Sequence, residues 1–91
     1  MPKIQKTLTI VNERGLHARA SAKFVECVES HSAHATVSRD GQTVGGDSIM
    51  GLLMLAAAKG CDIDVACDGE EASALMDCLE NLVVTKFGED V

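Results

Sequence analysis

Cys61-Asp62-Ile63-Asp64-Val65-Ala66-Cys67 alternates without interruption. Cys61, Ile63, Val65 and Cys67 fall on one side of an extended chain, and Asp62, Asp64 and Ala66 fall on the other. This pattern predicts a strand with one dry face and one wet face. Asp68-Gly69 marks a turn, after which the period changes. Ala72, Leu75, Met76, Leu79, Leu82 and Val83 line one stripe of a helix from Glu70 to about Val84, with Glu70 and Glu71 at its positive end. Residues from Phe87 onward are expected to fray. A one-faced strand followed by a one-striped helix calls for a sheet covered by helices on a single side.

Working outward, the same two periods recur. Lys3 to Val11 alternates, with Ile4, Leu8 and Ile10 on one face, and Asn12 to Gly15 has turn composition. From Ala18 to about Ser30 the spacing is helical, through Ala20, Phe24, Cys27 and Val28. Ala33 to Arg39 and Gln42 to Val44 read as strands joined by Asp40-Gly41, a dipeptide suited to a type I′ hairpin turn. Gly45-Gly46 ends that hairpin. Asp47 or Ser48 then caps a helix running through Ile49 to Ala57 and closed by Gly60. The predicted order is β-α-β-β-α-β-α, an α+β two-layer sandwich with the other sheet face open to water. Residues 1–91 are expected to form one domain.

Composition narrows the functional classes. The 91 residues carry a formal charge of −6, with only two aromatic side chains, Phe24 and Phe87. An acidic chain without Trp or Tyr is a poor match for a phosphate backbone or a base-stacking platform, so no nucleic acid is expected as partner. No apolar run reaches the length of a membrane span and no leader pattern opens the chain, so a cytoplasmic, non-membrane location is expected. Five of the eight basic residues lie in the first 23 positions, whereas nine of the 14 acidic residues follow Gly60. That asymmetry suits an anion or an acidic protein partner near the N-terminal third. Cys27, Cys61, Cys67 and Cys78 have neither metal-ligand nor C-x-x-C spacing, and read as reduced core residues. Met54 and Met76 read as core fillers.

Two segments carry potential chemistry. In Gly15-Leu16-His17-Ala18-Arg19-Ala20, His17 stands where a loop meets a helix, as N-cap or first helical residue. The backbone N–H groups of Ala18 and Arg19 and the helix dipole then face whatever sits on its ring. Arg19 adds a planar donor fork suited to phosphate oxygens. An imidazole so placed can accept a phosphoryl group; the plainer alternative is a helix cap beside a solvated arginine. The second segment is Gly46-Asp47-Ser48-Ile49-Met50-Gly51-Leu52-Leu53. Ser48 reads as a helix cap, and Ile49, Met50 and Leu53 exceed what one helix face can bury, which suggests an adaptable docking patch. Gly51 would let another surface approach closely. No nucleophile-base-orienter set and no Gly-rich phosphate loop is present.

With both segments in view, the chain resembles the HPr family, the histidine-containing phosphocarriers of the bacterial phosphotransferase system. The resemblance rests on Gly15-Leu16-His17-Ala18-Arg19-Ala20-Ser21-Ala22-Lys23-Phe24-Val25, on Asp47-Ser48-Ile49-Met50-Gly51-Leu52, and on Ala58-Lys59-Gly60. It spans essentially the whole chain. The resemblance implies a four-stranded antiparallel sheet of order 1-4-2-3 under three helices. It implies that His17 accepts phosphate at Nδ1 from phospho-enzyme I and passes it to EIIA-type acceptors, with Arg19 steadying the phosphate. Ala20, Ile49, Met50 and Leu53 would dock both partners, and Ser48 would match the site of an HPr kinase/phosphorylase. The implied protein is a monomeric, stoichiometric carrier rather than a self-contained enzyme, with no cofactor and no metal. Many members have proline where this chain has Ala20, and alanine is compatible with the same helix. Leu52 to Leu55 and Ala58 to Gly60 are also similar to NPr, the nitrogen-branch homologue, so sugar uptake and regulation are both open. An enzyme using His17 on a small phosphorylated substrate, and a binding module with no covalent step, are the alternatives from other classes.

Overall fold

The computed structural model describes residues 3–91. Its elements run β1 (Lys3–Thr9), α1 (Ala18–Glu29), β2 (His34–Arg39), β3 (Gln42–Gly45), α2 (Ile49–Met54), β4 (Asp62–Asp68) and α3 (Ala72–Val84), then a single 3₁₀ turn, Lys86–Gly88. The four strands form one antiparallel sheet in the order β1-β4-β2-β3. The segment with the cleanest alternation is therefore an inner strand, paired on both edges. Ile63, Val65 and Cys67 of β4 are buried with Leu8 and Val37. On the opposite face Asp62 and Asp64 are exposed and accept hydrogen bonds of 2.6 Å from the Thr9 and Thr7 hydroxyls. Phe24, Val28, Leu52, Leu75, Met76, Leu79 and Val83 complete the core from the helices.

Asp40 and Gly41 both have positive φ, 51° and 81°, as the type I′ turn requires. Several expectations from the sequence need correction. The second helix stops at Met54, not Ala57. Ala56 is left-handed at φ 52°. The reason is tertiary: Leu16 N–H donates to Ala57 O at 2.9 Å and Gly60 N–H to Ile10 O at 2.8 Å, so the chain leaves its helix to brace the β1–α1 loop. Met54, expected in the core, is 63% exposed because the short helix turns it outward. Among the cysteines only Cys67 is fully buried; Cys27, Cys61 and Cys78 are half-buried, with Cys27 and Cys61 packed against the core.

The largest difference is at the C-terminal end. Phe87 does not fray; it is buried at 1% exposure. Lys86 and Phe87 both adopt left-handed backbone, φ 60° and 55°, which reverses the chain after α3. Two such residues cost roughly 1–2 kcal/mol each. Burying a phenylalanine side chain returns about 2–3 kcal/mol, and Lys23 Nζ adds a 2.6 Å hydrogen bond to Phe87 O. The reversal carries Glu89 to Val91 back over the start of α1, and Glu13 N–H donates to Val91 O at 3.1 Å.

Candidate functional site

His17 is the N-cap of α1. Its backbone is extended (φ −75°, ψ −178°), its carbonyl accepts from Ser21 N–H at 2.8 Å, and its side chain makes no capping bond. The ring is thus free for another task. The N–H groups of Ala18 and Arg19, first in the helix, have no intrahelical acceptor by geometry, and both residues are exposed. No ion pair holds the Arg19 guanidinium among the described residues.

The loop before His17 is held by contact rather than propensity. Gly15 sits at φ +64°, and a Cβ there would meet Ala57 O at 2.5 Å. Only glycine allows the β1–α1 loop and the segment after α2 to touch, so this contact anchors the loop that leads into His17 against Ala57 and Ala58. Asn12, fully buried, braces the same loop by donating from Nδ2 to Gly15 O at 2.9 Å.

The partner of the His17 ring was not legible in the sequence. Glu89, brought back by the C-terminal reversal, faces Nε2 of His17 and forms a short hydrogen bond with it. The same carboxylate accepts from Asn12 Nδ2 at 3.1 Å. The side chains of His17 and Glu89 are only 17% and 15% exposed, so His17 is not the open cap residue its position suggests. Burial works against the charge on Glu89. Hydrogen bonds from His17 and Asn12, together with the charges of His17 and Arg14, outweigh it and hold the carboxyl below its ordinary range. An ionised carboxylate only accepts. Nε2 therefore carries the proton, and in the neutral ring Nδ1 keeps the lone pair.

In the second motif, Ser48 caps α2 as expected, accepting from Gly51 N–H at 3.0 Å. Ile49 and Met50 are 40% and 68% exposed, and Met54 extends the same apolar surface. Leu53 is half-buried at its edge. Ala20, expected to dock partners, is fully buried and cannot touch one; its methyl packs inside α1 against the core. Gly51 also has a different use. A Cβ there would lie 3.0 Å from Val44 Cβ, so the surface it admits is the chain's own β3. No cluster of three or more acidic, histidine or cysteine ligands occurs among the described residues. None of the described helices is long and apolar enough to cross a membrane.

A protein-family model, the phosphotransferase-system HPr component phosphorylation site, matches residues 4–85. The chain is 40% identical over 87 residues to the phosphocarrier protein HPr of Xylella fastidiosa, covering 96% of this chain and 98% of that protein. It is 35% identical to the phosphocarrier protein NPr of Shewanella violacea, over 98% of each. Among solved structures, HPr from Thermoanaerobacter tengcongensis superposes over all of both chains with a TM-score of 0.90 at 32% identity.

Proposed function

This chain belongs to the HPr family of phosphotransferase-system phosphocarriers, and on that premise we propose that His17 is its phosphoryl-carrying residue. One observation carries the assignment: Glu89 engages Nε2, which leaves Nδ1 as the nucleophilic nitrogen at the start of α1. In the proposed step the Nδ1 lone pair attacks the phosphorus of phospho-enzyme I as the donor's bond to phosphorus breaks. The ring then holds both the phosphoryl group and the Nε2 proton, and the Glu89 carboxylate balances its positive charge. The Ala18 and Arg19 amides and the Arg19 guanidinium receive the phosphoryl oxygens, where positioning and charge compensation do most of the work. The reverse geometry passes the group to an EIIA-type acceptor.

Ile49, Met50 and the half-buried Leu53 supply the apolar ground on which both partners dock, and Met54 enlarges it. Ser48 lies at the edge of that patch and is the proposed target of an HPr kinase/phosphorylase. Two pathway roles follow from one chemistry. Similarity to HPr proteins supports sugar uptake, and similarity to an NPr supports a nitrogen-branch regulatory role exercised by protein–protein binding.

Incubation with enzyme I and phosphoenolpyruvate tests the central claim. Acid-labile, base-stable phosphate should appear on the wild type, on Nδ1 by nitrogen-15 NMR, and not on His17→Ala. Phosphate on that variant at the wild-type rate overturns the assignment. Offering sugar-branch and nitrogen-branch EIIA acceptors to the phosphorylated protein separates the two pathway roles.

A further inference from the structure

Cys27 on α1 and Cys78 on α3 lie 51 residues apart in sequence, yet their Sγ atoms are 2.7 Å apart across the seam between the two helices. Both are free thiols and both are half-buried, so a small reagent has access to the pair. The seam itself is a single surface: Val25 and Val28 of α1 and Leu79 and Val83 of α3 are buried in one core. Lys23, one turn before Cys27, ties α1 to the segment that follows α3 through Phe87 O. A disulfide requires sulfurs about 2.05 Å apart, so closing this pair moves them together by only about 0.6 Å. Cys61 and Cys67 have no such neighbour. Cys67 is buried in the sheet, and Cys61 accepts a hydrogen bond from Arg39 Nη2.

We propose that Cys27 and Cys78 are an oxidative modification site, a dithiol that a hydroperoxide converts into an intramolecular disulfide fastening α1 to α3. One thiol gives up its proton and its sulfur attacks a peroxide oxygen. The O–O bond breaks, hydroxide leaves and takes up the proton as water, and a sulfenic acid remains. The second sulfur then attacks the first; the S–O bond breaks, the S–S bond forms, and a second water departs with the second thiol proton. Two thiols and one hydrogen peroxide become one disulfide and two waters, with two electrons passing from the sulfurs to the peroxide oxygens. Burial, and then the hydrogen bond to Cys78, pushes the Cys27 thiol up to about 12. Thiolate is therefore scarce at neutral pH, and the conversion is slow.

The crosslink joins the two elements that present His17 and lead to Glu89. It does not depend on either residue, so the proposal stands or falls separately from phosphoryl transfer. The test exposes the intact protein to hydrogen peroxide, blocks remaining thiols with iodoacetamide, and maps tryptic peptides without reduction. The expected product is monomeric, lighter by two hydrogens, and contains Phe24–Arg39 joined to Gly60–Lys86 through Cys78. It disappears on reduction and is absent from Cys27→Ser and from Cys78→Ser. Because the bond closes a long loop in a small chain, the oxidised form should melt about 10 °C or more above the reduced form. Linkage through Cys61 or Cys67, crosslinking between two chains, complete alkylation with no mass loss, or a disulfide that lowers the melting temperature would each overturn the proposal.

Discussion

The carboxylate of Glu89 accepts a hydrogen bond from Nε2 of His17 across 72 residues of sequence, and this contact leaves Nδ1 as the ring nitrogen that Glu89 does not engage. Glu89→Ala should slow phosphorylation by enzyme I roughly 10- to 100-fold, the range expected for losing a charged hydrogen bond. Glu89→Gln keeps an acceptor without the charge and should fall between the variant and the wild type. The His17 tautomer read by nitrogen-15 NMR provides a control that packing loss does not move. An unchanged Nε2–H population in Glu89→Ala would remove Glu89 from the mechanism.

The same carboxylate should report in acid. Its folded value lies below the ordinary 4.5, so its contribution to stability is complete above about pH 4.5 and is lost as pH falls through the folded value. Thermal melts from pH 6 down to pH 3 should show a shallower loss for Glu89→Gln than for the wild type. Identical slopes would contradict the hydrogen-bonded geometry.

Arg19 is exposed and unpaired among the described residues, so removing it costs no core contact. Arg19→Ala should keep the wild-type melting temperature while lowering the transfer rate at saturating enzyme I by at least about tenfold. Stopped-flow transfer set beside titration calorimetry decides the matter. A lost Kd with an unchanged rate would make Arg19 a docking residue.

Ser48 caps α2 through a hydrogen bond that aspartate can also make, so Ser48→Asp should leave stability within about 0.5 kcal/mol. A fixed anion beside exposed Ile49 and Met50 must be desolvated when a partner covers that patch. Affinity for enzyme I should fall roughly tenfold. Equal affinity of the two proteins would reduce Ser48 to a cap.

Alkaline stability should depend on Cys67. Burial, and secondarily the charge of Asp68, pushes this thiol up to about 11 from an ordinary 9.0. A raised value favours the protonated form in the folded state. The contribution is complete below about pH 9 and disappears as pH rises through 11. Over that range the wild type should lose about 2 kcal/mol that Cys67→Ala does not, measured by urea denaturation at pH 8 and pH 10.5.

The sheet and helices were readable because their signals are local. The alternation of Cys61 to Cys67 and the three-and-four spacing of α1 and α3 each need only one buried face, which neighbouring residues define among themselves. The Asp40-Gly41 turn is equally local. His17, Arg19, Ser48 and the excess apolar residues at 49, 50 and 53 were legible for the same reason, since helix starts and overfull stripes are written in short windows. The strand order was available only through resemblance to a family.

What escaped the sequence was every feature made by residues far apart along the chain. The early end of α2 is set by Leu16 and Ile10, which draw Ala57 and Gly60 out of helical geometry. The burial of Ala20, by contrast, follows from its place in the α1 stripe with Phe24 and Val28. The proximity of Cys27 and Cys78 depends on how two helices cross. Glu89, in a stretch with the composition of a frayed tail, reaches His17 because Phe87 finds a place in the core and two left-handed residues turn the chain back. By itself the sequence determined the elements, their wet and dry faces and the nitrogen-bearing residue at the helix start. Tertiary packing alone decided which nitrogen of that residue is free, because a tautomer is chosen by the partner on the opposite side of the ring.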